Sequence, residues 1–327
     1  MYKLASATRT GGGLLDNSGP WQVLTPWPNA WWNLNVQLSY WSVYPSNRLE
    51  LGMPLVDAIG NNLDNLINNV PEPYRKDAAA LPVATDFTLT GATVNVPGTE
   101  KKAQVGNLTW ICHNLWLQYR FSMDESILRN TLYPTLRRAV NFYLPFLTED
   151  KSGKLHLKRT YSPEYGTAED CNYDIALLRW GCNTLLEASR ILSVDDELIP
   201  RWKQVAEYLT DYPQDENGMM IGKDVPFSRS HRHYSHLLMF YPLYLLNAEQ
   251  NGSKELMEKS VEHWHSLPGN ILGYTYTGAS SLYAAFGEGD KALEKLNGLF
   301  ARTLHPNTMY MESGPVIETP LSGAQCI

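Results

Sequence analysis

The sequence lacks the features that mark two large classes of binding partner. Lys and Arg form no cluster along the 327 residues, and the formal charge of −7 disfavours a phosphate-binding surface. No run of about 18 apolar residues, the minimum for a membrane-spanning helix, is present. The first residues, MYKLASATRT, also lack the apolar core of a signal peptide. We therefore expect no nucleic-acid partner and no membrane partner.

Several catalytic and cofactor motifs are missing as well. The four cysteines show no paired CxxC spacing, and no HExxH sequence occurs. A GxSxG nucleophile elbow and a GxxxxGK[ST] phosphate loop are also absent. Serine-hydrolase and phosphoryl-transfer chemistry are thereby disfavoured, and we expect buried free thiols and no cofactor.

Aromatic residues that carry a polar group are abundant. The chain has ten Trp and nineteen Tyr but only eight Phe. Such side chains suit places where one face is apolar and the other forms hydrogen bonds. Sugar-binding clefts are of this kind, although a helical core can also contain many aromatic residues.

Apolar residues recur at helical spacing over most of the chain. The predicted helices span residues 34–44, 49–70, 107–122, 125–149, 173–192, 198–211, 235–247, 254–266, 277–286 and 289–303. Strand signals are limited to 84–99, which could form a hairpin, and 155–159. The sequence therefore predicts an all-α fold with small β excursions.

The connections between the predicted helices indicate how they are arranged. Short turns alternate with long, irregular, aromatic-rich loops, as expected for antiparallel helix pairs. No repeat of 20–50 residues is evident, which disfavours a regular solenoid. We therefore predict one domain over residues 1–327, a closed (α/α) toroid with its long loops gathered at one end.

Three histidines lie close together in the segment SHRHYSH. His231, His233 and His236 could ligate zinc, but Arg232 stands between two of them and would repel a cation. The imidazoles could instead be structural, or could form neutral hydrogen bonds with hydroxyl groups. We favour hydrogen bonding to a substrate and expect no metal.

Two acids stand in stiff, proline-flanked loops. Glu164 lies in TYSPEYG, and Glu318 lies in PVIETP. Glycoside hydrolysis typically uses two carboxyl groups, one protonated acid and one ionised base or nucleophile. Aromatic and apolar surroundings favour the protonated acid, and Glu164 has such a setting. Either residue alone could be an ordinary surface acid, but together they predict a catalytic pair.

An amide-rich segment precedes the first long predicted helix. In Asn33-Leu-Asn35-Val-Gln37 polar and apolar residues alternate, so an extended chain would place the three amides on one face. Amides can hold a water molecule or a carboxylate in place. The alternative is that they are helix-start residues and a capping Asn.

Taken together, these segments resemble the catalytic domain of glycoside hydrolase family 95, the inverting α-L-fucosidases and α-L-galactosidases. The resemblance rests on the order and spacing of segments along nearly the whole chain. They are GPWQVLTPWPNAWWNLNVQLSYW, HNLWLQYRFSMDESIL, SPEYG, NYDIALLRW, HRHYSHLLMFYP and VIETPLSGAQCI. It implies an (α/α)6 barrel that acts on an oligosaccharide or glycan.

The resemblance also implies roles for individual residues. Glu164 matches the general acid of the SPE loop, and Asn33 and Asn35 match an NxNxQ pair that orients the attacking water. His231, Arg232 and His233 match a segment near the sugar, where we also expect Trp32 and Tyr165 to contact substrate. Glu318 takes the place of the base, which is an Asp in typical members, in loops that resemble IDGNFGG.

The chain departs from the family in other respects. Members commonly have an N-terminal β-sandwich and a C-terminal β-domain. We expect both of these domains to be absent here, and we expect the barrel to be incomplete. Family members suggest an extracytoplasmic location. The IETPLSG sequence at the base leaves one alternative from another class, a non-catalytic carbohydrate-binding protein on a degenerate barrel. A second alternative is another (α/α) glycosidase or a polysaccharide lyase.

Overall fold

The computed structural model describes residues 2–8, 13–15, 29–304 and 306, and its architecture is mainly helical. The α-helices of these residues are α1 Tyr2–Ala7, α2 Asn35–Trp41, α3 Met53–Asn61, α4 Leu63–Asn68, α5 Asn107–Ser122, α6 Glu125–Ile127, α7 Tyr133–Asn141, α8 Asn172–Leu192, α9 Ile199–Tyr208, α10 Ser253–Ser266, α11 Gly273–Ala285 and α12 Gly289–Thr303. None of them combines the length and apolar character needed to cross a bilayer. The predicted all-α class is confirmed.

The strands of the described residues are short and form four antiparallel pairs. The pairs are β1 Ala30–Trp31 with β2 Ala84–Thr85, β3 Leu147–Glu149 with β4 Leu155–Leu157, β5 Thr160–Ser162 with β6 Gly166–Ala168, and β7 Gln214–Asp215 with β8 Gly218–Met219. The strand predicted near residue 155 is confirmed. A full hairpin over 84–99 is wrong, because β2 pairs with β1 and only a Thr85–Gly91 bridge closes the following turn.

The helices alternate between two layers. Every residue of α2 is buried, and α5, α8 and α11 are buried around most of their circumference. By contrast, α3, α7, α9 and α12 bury one side only. Helix α7 packs on α5 and α8, α9 packs on α8, and α12 packs on α11. A helix that is buried all round belongs to an interior layer, so inner and outer helices alternate along the chain.

Two predicted helices differ from the structure. The helix predicted over 235–247 is wrong, since only a 3₁₀ turn, Ser235–Leu237, forms there. Pro242 has no amide hydrogen to donate and disfavours a helical conformation at Tyr241, while the buried apolar run Leu237–Phe240 imitates a helical pattern. The helix predicted over 125–149 ends at Asn141 and is followed by a 3₁₀ turn and β3.

The inner elements present their N-terminal ends to one region of the molecule. Asn33 lies two residues before α2, and the loop with Glu164 precedes α8. Tyr274 lies in the first turn of α11, and its hydroxyl accepts a hydrogen bond from Asn35 Nδ2 at 2.9 Å. These contacts join residues that are far apart in sequence, so the fold gathers the predicted loop residues at one end.

Asp174 is a carboxyl group in the core rather than at this site. It lies in the first turn of α8 without solvent exposure, and its Oδ1 accepts a hydrogen bond from the Tyr143 hydroxyl at 2.8 Å. Burial raises the pKa of Asp174 from 3.8 to about 7. A raised carboxyl pKa makes the folded state bind a proton that the unfolded state releases, so stability falls as pH rises between these values.

The Asp174→Asn variant should remove this pH dependence. The amide stays neutral and can still accept the bond from Tyr143, so its benefit grows with pH. We compare the free energy of unfolding of the variant with that of the parent chain. The variant's advantage should be about 2–3 kcal/mol larger at pH near 8 than at pH near 5. Urea unfolding of both proteins at the two pH values measures this difference. If the stability difference between the two proteins is the same at both pH values, the raised pKa of Asp174 is wrong.

Candidate active site

Glu164 occupies the tip of a β-hairpin. Strands β5 and β6 pair from Thr160 opposite Ala168 to Ser162 opposite Gly166, and the Tyr165 amide donates to Ser162 O at 3.0 Å. Glu164 itself has a φ of 56°, in the left-handed region that a non-glycine residue rarely adopts. Such conformations persist where surrounding contacts impose them, and they are concentrated at functional sites.

The Glu164 carboxylate is held by residues from two other loops. Asn33 Nδ2 donates to Oε1 at 3.2 Å, and Arg232 Nη2 donates to Oε2 at 2.8 Å. His233 Nε2 lies 3.6 Å from the same Oε2. The Glu164 side chain keeps 28% of its surface exposed, whereas Arg232 is 14% exposed. The acid is therefore fixed in orientation and still reachable from solvent.

The histidines beside Glu164 are uncharged at neutral pH. Burial, followed by the nearby Arg232, lowers the pKa of His231 to about 4. Burial and then His231 and Arg232 hold the pKa of His233 well below 6.5. His231 Nε2 donates to Pro163 O at 3.4 Å, while His233 Nδ1 has no hydrogen-bond partner among the described residues. A neutral imidazole can donate or accept, as the predicted contact with a hydroxyl group requires.

The same cluster has the ligand types of a metal site. One potential ligand atom from each of Glu164, His231 and His233 lies within 4.8 Å of the others. Arg232, however, places a guanidinium nitrogen 2.8 Å from Glu164 Oε2, where a cation would have to compete with it. The electrostatics oppose a cation, and the absence of a metal stays a prediction.

The amide segment is only partly as predicted. Residues 35–37 are helical, as the helix predicted over 34–44 requires, so the extended alternative is wrong for them. Gln37 Nε2 donates to Trp32 O at 2.6 Å and is thus a helix-start residue. Asn33 and Asn35 are buried at the site end, with their amides on Glu164 and Tyr274 respectively. Asn33 Oδ1 has no partner within the described part of the chain.

The two aromatic residues predicted to contact substrate are both buried. Trp32 has no exposed surface, and its indole N–H donates to Thr85 Oγ1 at 2.8 Å. Tyr165 is 8% exposed and packs against the segment that begins at Phe227. Sugar contact by these two side chains stays a prediction. Glu318 lies outside the described residues, so its distance from Glu164 is not defined.

Sequence reasoning missed two positions that shape the site. Tyr274 accepts the Asn35 amide and also lies edge-on to His233, with ring centroids 5.7 Å apart. Arg229 covers the ring of Tyr165 at 4.5 Å. Neither belongs to a local motif, and their roles arise only from residues brought together by folding.

Solved structures of glycosidases share this fold. A wild-type glycosidase has a TM-score of 0.64 at 11% sequence identity, with 99% of this chain and 88% of that chain covered. Another, a glycosidase in complex with glucose, has a TM-score of 0.60 at 12% identity, covering 99% of this chain and 88% of that one. The architecture is thus the (α/α)6 type found in glycoside hydrolases, as predicted.

Residues 1–317 match the glycosyl hydrolase family 95 catalytic domain, and the chain belongs to this family. It is 25% identical to "Alpha-L-fucosidase 2" of Arabidopsis thaliana over 317 residues, which are 91% of this chain and 37% of that protein. It is 21% identical to "Probable alpha-fucosidase A" of Aspergillus niger over 341 residues, 96% of this chain and 42% of that protein. The chain thus spans about two fifths of these relatives.

Proposed function

We propose that this chain is an inverting exo-glycosidase that hydrolyses a terminal α-linked L-fucosyl or L-galactosyl residue from glycans. The observation that carries the proposal is the geometry of Glu164, a partly exposed acid whose two oxygens are oriented by Asn33 and Arg232. A general acid must be aimed at the glycosidic oxygen, and this arrangement aims one.

In the proposed mechanism Glu164 protonates the departing oxygen as the glycosidic bond breaks. Asn33 Nδ2 and Arg232 can only donate hydrogen bonds to the acid. Their contacts therefore match the ionised carboxylate that remains after the proton has been transferred, and they would stabilise it. The exposed part of Glu164 then allows the proton to be replaced from solvent before the next turnover.

Water completes the reaction from the opposite face of the sugar. Glu318 is proposed to deprotonate it, and Asn33 and Asn35 to orient it. Asn33 has already committed Nδ2 to Glu164, so its buried Oδ1, which has no partner among the described residues, is the atom left to accept a hydrogen bond from this water. Inversion requires room for the water, with the two carboxyl groups about 6.5–9.5 Å apart.

The names of the relatives and the chemistry of the site support the proposed sugar specificity. Both curated relatives are named as fucosidases. Neutral His231 and His233 beside Glu164 are suited to hydrogen-bond an uncharged sugar hydroxyl, and Arg232 is engaged by Glu164. We therefore propose a neutral deoxy or galacto sugar rather than an acidic one.

A panel of α-L-fucosides and α-L-galactosides tests this proposal. We expect the purified chain to release the terminal sugar from at least one of the two series, and the Glu164→Gln variant to release far less. Binding without release would support the non-catalytic alternative. An unsaturated product that absorbs in the ultraviolet would indicate a lyase instead.

A further inference from the structure

Tyr165 follows the proposed acid directly, but its phenol group faces the protein. The Tyr165 hydroxyl accepts hydrogen bonds from the backbone amides of Ser228 at 2.8 Å and Arg229 at 3.0 Å. Two donors on one phenol oxygen occupy its acceptor sites, so a sugar hydroxyl could only accept from the phenol O–H. This arrangement suits a support for the loop better than a substrate contact.

Two side chains also pack against the Tyr165 ring. Phe227 stacks on the ring, with centroids 5.0 Å apart and planes at 28°, and the Arg229 guanidinium lies over it, 4.5 Å from the ring centroid. Arg229 Nη2 additionally donates to the Tyr165 carbonyl. Sugar stacking needs an exposed ring face, and Tyr165 is only 8% exposed. Its ring is therefore committed to protein contacts.

The residues on the other side of Glu164 are anchored to the same segment. Ser162 Oγ lies 2.8 Å from Ser235 Oγ, and Pro163 O accepts from His231. Segment 227–235 thus holds the hairpin tip before and after Glu164. The left-handed φ of Glu164 lies between these two anchors, and such conformations persist where surrounding contacts hold them.

We propose that Tyr165, clamped by Phe227 and Arg229, is a positioning residue that aims the Glu164 carboxyl at the glycosidic oxygen. This inference rests on the proposed function and assigns Tyr165 a role other than sugar contact. Supports of this kind determine whether a catalytic group is held within a fraction of an ångström of its productive position. Within this support, the Tyr165 hydroxyl accepts the hydrogen bonds from the backbone amides of Ser228 and Arg229.

The test compares substrates that differ only in the leaving group. An alkyl or sugar leaving group needs protonation by the acid, whereas an activated aryl group, such as 2-chloro-4-nitrophenyl, departs without it. For Tyr165→Phe we expect kcat to fall about tenfold or more with the unactivated substrate, since small misplacements are costly. With the activated substrate kcat should stay within about twofold, and KM should change little for either.

Tyr161→Phe is the matched control. It removes a phenol hydroxyl from the same hairpin, at a half-buried ring that contacts Lys102 rather than the clamp. Its kcat and KM should match those of the parent chain on both substrates. Arg229→Lys is the second variant, because it keeps the positive charge but loses the planar group over Tyr165. If Tyr165→Phe does not fold, Arg229→Lys decides by the same criteria.

Two results would overturn the inference. A raised KM with unchanged kcat would make Tyr165 a substrate contact, and equal losses on both substrates would make it a general structural residue. Glu164→Gln is measured in parallel to separate the two proposals. If Glu164→Gln shows no dependence on the leaving group, the proposed function itself fails. If only Tyr165→Phe lacks that dependence, the positioning role alone fails.

Discussion

The Glu164→Gln variant should lose roughly a hundredfold to ten-thousandfold in kcat on substrates with a sugar or alkyl leaving group, the range typical of general acids. Gln is close in shape to Glu and cannot donate the required proton to the departing oxygen. Its carbonyl can still accept from Asn33 or Arg232, so the surrounding contacts are disturbed less than by truncation. Steady-state kinetics on an α-L-fucosyl disaccharide measures the loss.

The same variant should be far less impaired on an activated aryl glycoside. Bond cleavage then needs little protonation, so kcat should stay within about tenfold of the parent value. Glu169→Gln is the matched control, since Glu169 is exposed just after β6 and takes no part in the site. Full retention of activity by Glu164→Gln on the unactivated substrate would contradict its role as the acid.

Glu318→Gln should also lose roughly a hundredfold to ten-thousandfold in kcat, but equally for both classes of leaving group. The base acts on water, which every substrate requires, so a better leaving group cannot replace it. Glu318→Asp, by contrast, restores the residue type of typical family members and should keep or raise activity. The comparison of these two variants on both substrates distinguishes a base from a structural acid.

Glu312→Gln is the control for this experiment. Glu312 lies in the same C-terminal segment, six positions before Glu318, and is assigned no catalytic role. It should behave like the parent chain. If Glu318→Gln also retains full activity, another group must activate the water, and the proposed catalytic pair is wrong.

The helices were predictable where their pattern is local. Helices α5 and α12 begin and end where the apolar spacing predicts. The segment over 235–247 has a similar apolar pattern, yet Pro242 prevents a continuous helix and its apolar residues are buried in a non-helical turn. Apolar periodicity reports burial, and it cannot distinguish the backbone conformations that achieve it.

The site was predictable as a set of residues but not as a geometry. The proline-flanked setting singles out Glu164, and the HRH segment singles out its neighbours. That Asn33 and Arg232 each take one oxygen of Glu164 depends on contacts across 131 and 68 residues of sequence. The inward orientation of Tyr165 likewise depends on the 227–229 segment, which carries no local motif.

We propose that this chain hydrolyses its glycoside with inversion, and the anomer of the product that forms first distinguishes inversion from retention. Proton NMR during hydrolysis of an α-L-fucoside or α-L-galactoside by the parent chain resolves the two anomers before they equilibrate. A single water attack on the face opposite the leaving group predicts that the β-anomer appears first. Initial appearance of the α-anomer would indicate a covalent intermediate and retention, and the inverting mechanism would then be wrong.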